Sequence, residues 1–190
     1  MLSQILEFLI DTLAGFLVFL LLARFHFQWL RVSFRNQIGH FVIALTNWLV
    51  MPGRRFLPGL AGFDLPTLLI ALIVQAASLT AVYLLRGVDF PGASPGTAGV
   101  IFGLALFDLL RYSLYLLIFG LIVQAVLSWT NPHSPLSGTF DAMVRPFLQP
   151  IRRFVPLVAN IDLSPLVLIV LLQVLLIPVA YGRTLVAGLF

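Results

Sequence analysis

The chain has 190 residues, 61% of them hydrophobic and only 9% charged, with a mean hydropathy of +1.08. Soluble domains carry about 25% charged residues, so this composition excludes an ordinary water-solvated globule. All eleven basic residues are Arg, the net charge is +4 and Cys is absent, which excludes disulfides, thiolate metal sites and thiol nucleophiles. So small a basic excess suits anionic lipid head groups and not a nucleic-acid groove.

A membrane span needs about 20 apolar residues, and four stretches meet that length. The first, near 2–30, is interrupted by Glu7, Asp11, Arg24 and Gln28. It is too long for the apolar region of a cleaved signal and no basic residue precedes Arg24, so it reads as a retained span. In the connector that follows, Ile38, Phe41, Val42, Leu45, Trp48 and Leu49 share one side of a helix too short to cross, expected on the membrane surface or against the span ends. The second span, 65–85, follows Asp64 as candidate helix cap and has Pro66 in its first turn. Residues 88–98, rich in Pro and Gly, read as a connecting hairpin.

The third span occupies about 99–129, where Asp108 and Arg111 stand three apart and are expected to pair locally, and Gly99 and Gly103 offer close helix packing. The second connector repeats the amphipathic pattern with Phe140, Met143, Val144, Phe147 and Leu148, and Pro146 is expected to bend or interrupt it. The fourth span runs from Pro165 to about 179–181, with Asp162 or Ser164 as candidate cap and Pro178 expected to end or bend it.

The two halves repeat each other. Pro52-Gly53-Arg54-Arg55-Phe56-Leu57-Pro58 returns as Pro150-Ile151-Arg152-Arg153-Phe154-Val155-Pro156, and the same shift carries Asp64-Leu65 onto Asp162-Leu163 and Gln75 onto Gln173. Gln28-Trp29 corresponds to Ser128-Trp129. Two crossings per repeat make the copies parallel, 1–87 and 99–190, joined through 88–98. Arg31, Arg35, Arg54 and Arg55 in one connector, with Arg145, Arg152 and Arg153 in the other, place both connectors in the cytoplasm and both termini outside. The expected fold class is therefore all-α integral membrane: four transmembrane helices in two parallel repeats, with short interfacial amphipathic helices in the two long loops.

Arg54, Arg55, Arg152 and Arg153 are candidate lipid- or partner-binding residues, because guanidinium groups bind phosphates bidentately while neighbouring Phe and Leu dip toward acyl chains. Arg24, Gln28, Gln75, Gln124, Ser128 and Gln173 are candidates for an intramembrane polar site, since each needs a partner in an apolar surround. His26, His40 and His133 form no metal pattern, and neither a nucleophile elbow nor a phosphate-binding glycine loop occurs. No catalytic residue, metal or cofactor is expected.

Ser128-Trp129, Asn131-Pro132, the run from Pro146 through Pro156, and Asp162-Leu163-Ser164-Pro165 together resemble the YggT family of small membrane proteins, whose plastid and cyanobacterial relatives include the YlmG proteins. The resemblance covers nearly the whole chain. In the first repeat Arg24 matches the family's span arginine, but Gln28 replaces its Ser and Pro66 directly follows Leu65; the second repeat keeps Ser128 and has Gln124 in place of the Arg. The resemblance implies membrane organisation, cell-division or nucleoid effects, osmotic tolerance, or cytochrome b6f assembly. A non-enzymatic scaffold or assembly factor in the bacterial inner membrane is the leading expectation, and a small-solute or ion pathway the alternative. Expected partners are anionic lipids and a membrane protein or a second copy, with no nucleic acid.

Overall fold

The computed structural model describes residues 1–56, 64–88, 95–131, 134–155 and 162–188, and every element among them is helical. In chain order these are α1 (Leu2–Trp29), α2 (Gln37–Phe56), α3 (Leu65–Leu85), α4 (Pro95–Thr130), α5 (Pro135–Arg152) and α6 (Ser164–Ala187). By length and composition α1, α3, α4 and α6 can cross a membrane. At 1.5 Å per residue α3 spans about 31 Å, matching the hydrocarbon core, whereas α4 spans about 54 Å and must tilt or project.

Three boundaries differ from expectation. Helix α4 begins at Pro95, inside the stretch read as a hairpin, because the fixed φ of Pro suits a first helical turn. Helix α6 continues through Pro178 to Ala187, a proline position that membrane helices tolerate. Helix α5 runs unbroken through Pro146 and Pro150; both prolines lie on its exposed side, where solvent can serve the carbonyl each leaves unbonded.

The packing has internal symmetry. Helix α1 packs on α3 as α4 packs on α6, and α2 lies against α1 and α3 as α5 lies against α4 and α6; α3 and α1 meet α4 to join the halves. Val18, Leu21, Leu22, Ala71, Leu117, Leu121, Met143 and Leu148 form one buried cluster through the centre. Gly103 admits Val186 of α6, while Gly99 faces open space, so the expected glycine pair does not act as a packing unit.

The two connector helices differ. In α2, Val42, Thr46 and Val50 are buried, while Phe41, Leu45, Trp48 and Met51 form a second, exposed stripe. In α5, Phe140, Met143, Val144 and Leu148 are buried, and Arg145, Pro146, Gln149 and Pro150 are exposed. Helix α2 also runs farther than its periodic segment, passing Pro52 so that Arg54 and Arg55 form its last turn, where positive charge favours the helix dipole.

Candidate functional site

Arg24 and Gln28 lie one turn apart on α1, near the end of the bundle that carries α2 and α5. Arg24 is only 5% exposed, and its Nη1 donates to Thr46 Oγ1 at 2.8 Å and Asn47 Oδ1 at 2.9 Å. Thr46 Oγ1 in turn donates a hydrogen bond to the Val42 carbonyl oxygen at 2.6 Å. The guanidinium therefore does not extend to the head groups. Two acceptors on α2 take the Nη1 hydrogens inside the protein, which lowers the cost of burying the group.

Arg54 completes this cluster. Its Nη2 donates to Asp64 Oδ2 at 2.6 Å and Gln28 Oε1 at 3.2 Å, tying the end of α2 to the start of α3 and to α1. Thr67 Oγ1 also donates to Asp64 Oδ2, at 2.6 Å. Asp64 thus stands at the N-cap position without capping: its side chain accepts no N–H of the first turn of α3, because Arg54 and Thr67 occupy it. Burial pushes the Asp64 carboxyl up, but the hydrogen bonds from Arg54 and Thr67 and the charges of Arg54 and Arg24 prevail, holding it below the usual carboxylate range.

The second half keeps the ion pair and loses the buried arginine. Arg152 Nε meets Asp162 Oδ2 at 2.8 Å, with the same ten-residue separation as Arg54 and Asp64. Asp162 sits one residue before the N-cap Leu163, and its Oδ1 accepts the Ser164 N–H at 2.9 Å. Ser164 is the first residue of α6 and so receives this capping bond; it does not supply a cap. Burial pushes the Asp162 carboxyl up, but hydrogen bonding from Ser164 and the Arg152 guanidinium together outweigh it, leaving it below the ordinary value.

Where the first half has Arg24, Thr46 and Asn47, the second has Gln124, Val144 and Arg145. The buried cation and both its acceptors are replaced together. Gln124 is buried, and its Oε1 has no hydrogen-bond partner among the described residues. Arg145 turns outward to Asp141 at 2.6 Å. Trp29 and Phe147, with ring centroids 6.4 Å apart, pack α1 against α5 between the two clusters.

The six residues expected to form an intramembrane polar site do not converge. Arg24 and Gln28 belong to the cluster above. Gln75 is buried midway along α3, where its Nε2 donates to Asp108 Oδ2 at 3.1 Å. Ser128 and Gln173 are exposed, so the symmetry that relates Gln75 to Gln173 in sequence does not extend to their surroundings. Asp108 does pair with Arg111, at 3.4 Å, but its closer partner is Arg183 on α6, at 2.7 Å. Sequence reading missed that bridge, because residues 75 positions apart give no local spacing signal. The same holds for Arg86, which reaches Glu7 at 3.1 Å.

Arg55 and Arg153 are exposed and have no ion-pair partner among the described residues. Each double-arginine motif thus contributes one residue that locks the connector and one that faces outward. Among the described residues, no group of three or more His, Cys, Asp or Glu could hold a metal ion.

A family model described as CCB3/YggT matches residues 3–85 and 103–181. An Escherichia coli K12 protein named "Uncharacterized protein YggT" is 31% identical over 191 residues, covering 97% of this chain and 97% of the relative. A Vibrio alginolyticus protein is 31% identical over 88% of this chain and 89% of its own length, and one from Pseudomonas aeruginosa is 29% identical over 84% and 80%. No solved structure matches the chain.

Proposed function

Because this chain belongs to the CCB3/YggT family, we propose that it is a non-enzymatic membrane scaffold, an assembly or organisation factor of the bacterial inner membrane. Two parallel repeats hold α2 and α5 on the cytoplasmic face, where Arg55, Arg153 and the Phe41/Leu45/Trp48/Met51 stripe engage anionic lipid and a membrane-protein partner. The observation that carries this reading is the repeated Arg–Asp lock, Arg54 with Asp64 and Arg152 with Asp162, which fixes each connector to the next span and leaves its neighbouring arginine exposed. A rigid, cationic and partly apolar platform is suited to holding a partner.

The second reading, a small-solute or ion pathway, draws on the polar groups at the two ends of the bundle. Between them lie Val18, Leu21, Leu22, Ala71 and Leu117, all buried and apolar, which favours the scaffold. A photocrosslinking residue at position 55 or 48 in native membranes tests the proposal: a reproducible protein adduct supports it, and adducts with lipid alone contradict it. Liposome flux that depends on Arg24 would instead support the pathway.

A further inference from the structure

At the end of the bundle away from α2 and α5, α1, α3, α4 and α6 surround a cavity of about 250 Å³, lined among others by Asp11, Gln75, Arg86, Asp108, Arg111 and Arg183. Its floor is the Asp108 carboxylate, which is only 1% exposed. Both oxygens are engaged. Oδ1 meets Arg183 Nε at 2.7 Å and Arg111 Nη2 at 3.4 Å, while Oδ2 accepts from Gln75 Nε2 at 3.1 Å and Arg183 Nη2 at 3.4 Å.

One carboxylate shared by two guanidinium groups leaves a surplus positive charge and a surplus of donors. Each guanidinium has five N–H groups, and Asp108 uses only part of each set. The buried Arg111 Nε has no hydrogen-bond partner among the described residues. Arg86 lies at the rim with Glu7 as its partner. The remaining acid is Asp11, exposed and without an ion pair among the described residues. With Glu7 included, three arginines meet three acids around the cavity, and the positive excess is local: Arg111 and Arg183 share the single buried carboxylate of Asp108, while Asp11 stands exposed at the rim.

A cavity in which two guanidinium groups share one buried carboxylate and keep unused planar donors suits an oxyanion better than a cation or a neutral apolar molecule. Its volume lies below the usual range for drug-sized ligands, about 300–1,000 Å³, and accommodates a single tetrahedral group. We propose that this cavity binds a phosphate group, presented either as inorganic phosphate or as the head group of a lipid from the adjoining leaflet. Arg111 and Arg183 bind its oxygens, and Asp108 holds both guanidinium groups in place. Asp11 at the rim opposes the anion and limits its affinity. The proposal does not depend on the scaffold reading, whose residues lie at the other end.

The test uses the full chain purified in phosphate-free detergent, with inorganic phosphate as the titrant and chloride at equal ionic strength as control. Thermal stabilisation by phosphate and not by chloride is expected, as is retention of phospholipid by native mass spectrometry if the lipid is the source. Losing a charge-assisted contact in Arg111→Gln should weaken binding about 10- to 100-fold, or strip the retained lipid. Arg183→Gln is a poorer test, because freeing the buried Asp108 can unfold the chain. Asp11→Asn, at an unpaired rim position, should tighten binding. Absence of both phosphate stabilisation and retained lipid, or an unchanged response in Arg111→Gln and Asp11→Asn, overturns the proposal.

Discussion

Arg54 and Arg152 hold corresponding places in the two halves, yet their ion pairs differ in burial. The Asp64 side chain is 2% exposed and has Thr67 as an additional donor, whereas that of Asp162 is 31% exposed. Asp64→Asn should therefore cost about 1–3 kcal/mol, and Asp162→Asn less than about 1 kcal/mol, measured as thermal unfolding in detergent. Equal losses would show that the halves are energetically equivalent. Both carboxyls titrate below their ordinary value, so their stabilisation is fully present above the unfolded pKa of about 3.9 and is lost as pH falls through the lower, folded values. The difference in melting temperature between the wild type and Asp64→Asn should stay constant from about pH 8 to pH 5 and shrink below about pH 4. Shrinkage beginning near pH 6.5 would implicate another group. The double-arginine motifs were visible in the sequence. Which arginine of each turns inward was not, since that depends on the helical phase at which α2 and α5 meet the spans.

At the scale of elements, the apolar runs gave α1 and α3 to within a residue, because lipid-spanning helices need only length and hydrophobicity. The connectors were harder to read. The periodic face of α2 mixes two stripes: Val42 lies against the bundle, while Phe41 and Trp48 are exposed. A surface helix and a packed helix were alternatives in sequence; α2 packs on α1 and α3, and its exposed apolar side is what a surface helix would turn to lipid. Helix α5 exposes no matching apolar stripe, so α2 alone should dip into lipid. With Trp29 and Trp129 replaced by Phe, Trp48 fluorescence in vesicles should be quenched by brominated acyl chains and shielded from aqueous iodide. Iodide quenching without bromine quenching would place α2 in water. The Pro-containing C-terminal turn of α2 was illegible because proline marks a helix end more often than it is tolerated within one.

For the molecule as a whole, the duplication was legible because rare residues recur in order, and the internal symmetry of the packing follows it. Its breaking was legible only in part. The exchange of Arg24 for Gln124 stands in the sequence, but the matched loss of Thr46 and Asn47 acquires meaning only once α2 is seen to supply both acceptors. The bridges from Arg183 to Asp108 and Arg86 to Glu7 were hidden because they join helices distant in the chain. The scaffold proposed above requires four crossings that keep both arginine-bearing connectors on one face, the cytoplasmic one. The native chain has no Cys, so single cysteines report without background. With a membrane-impermeant maleimide, Arg55→Cys and Arg153→Cys should label only after permeabilisation, while Gln4→Cys and Gly87→Cys should label in intact spheroplasts. Labelling of positions 55 and 153 from opposite faces would rule out this topology.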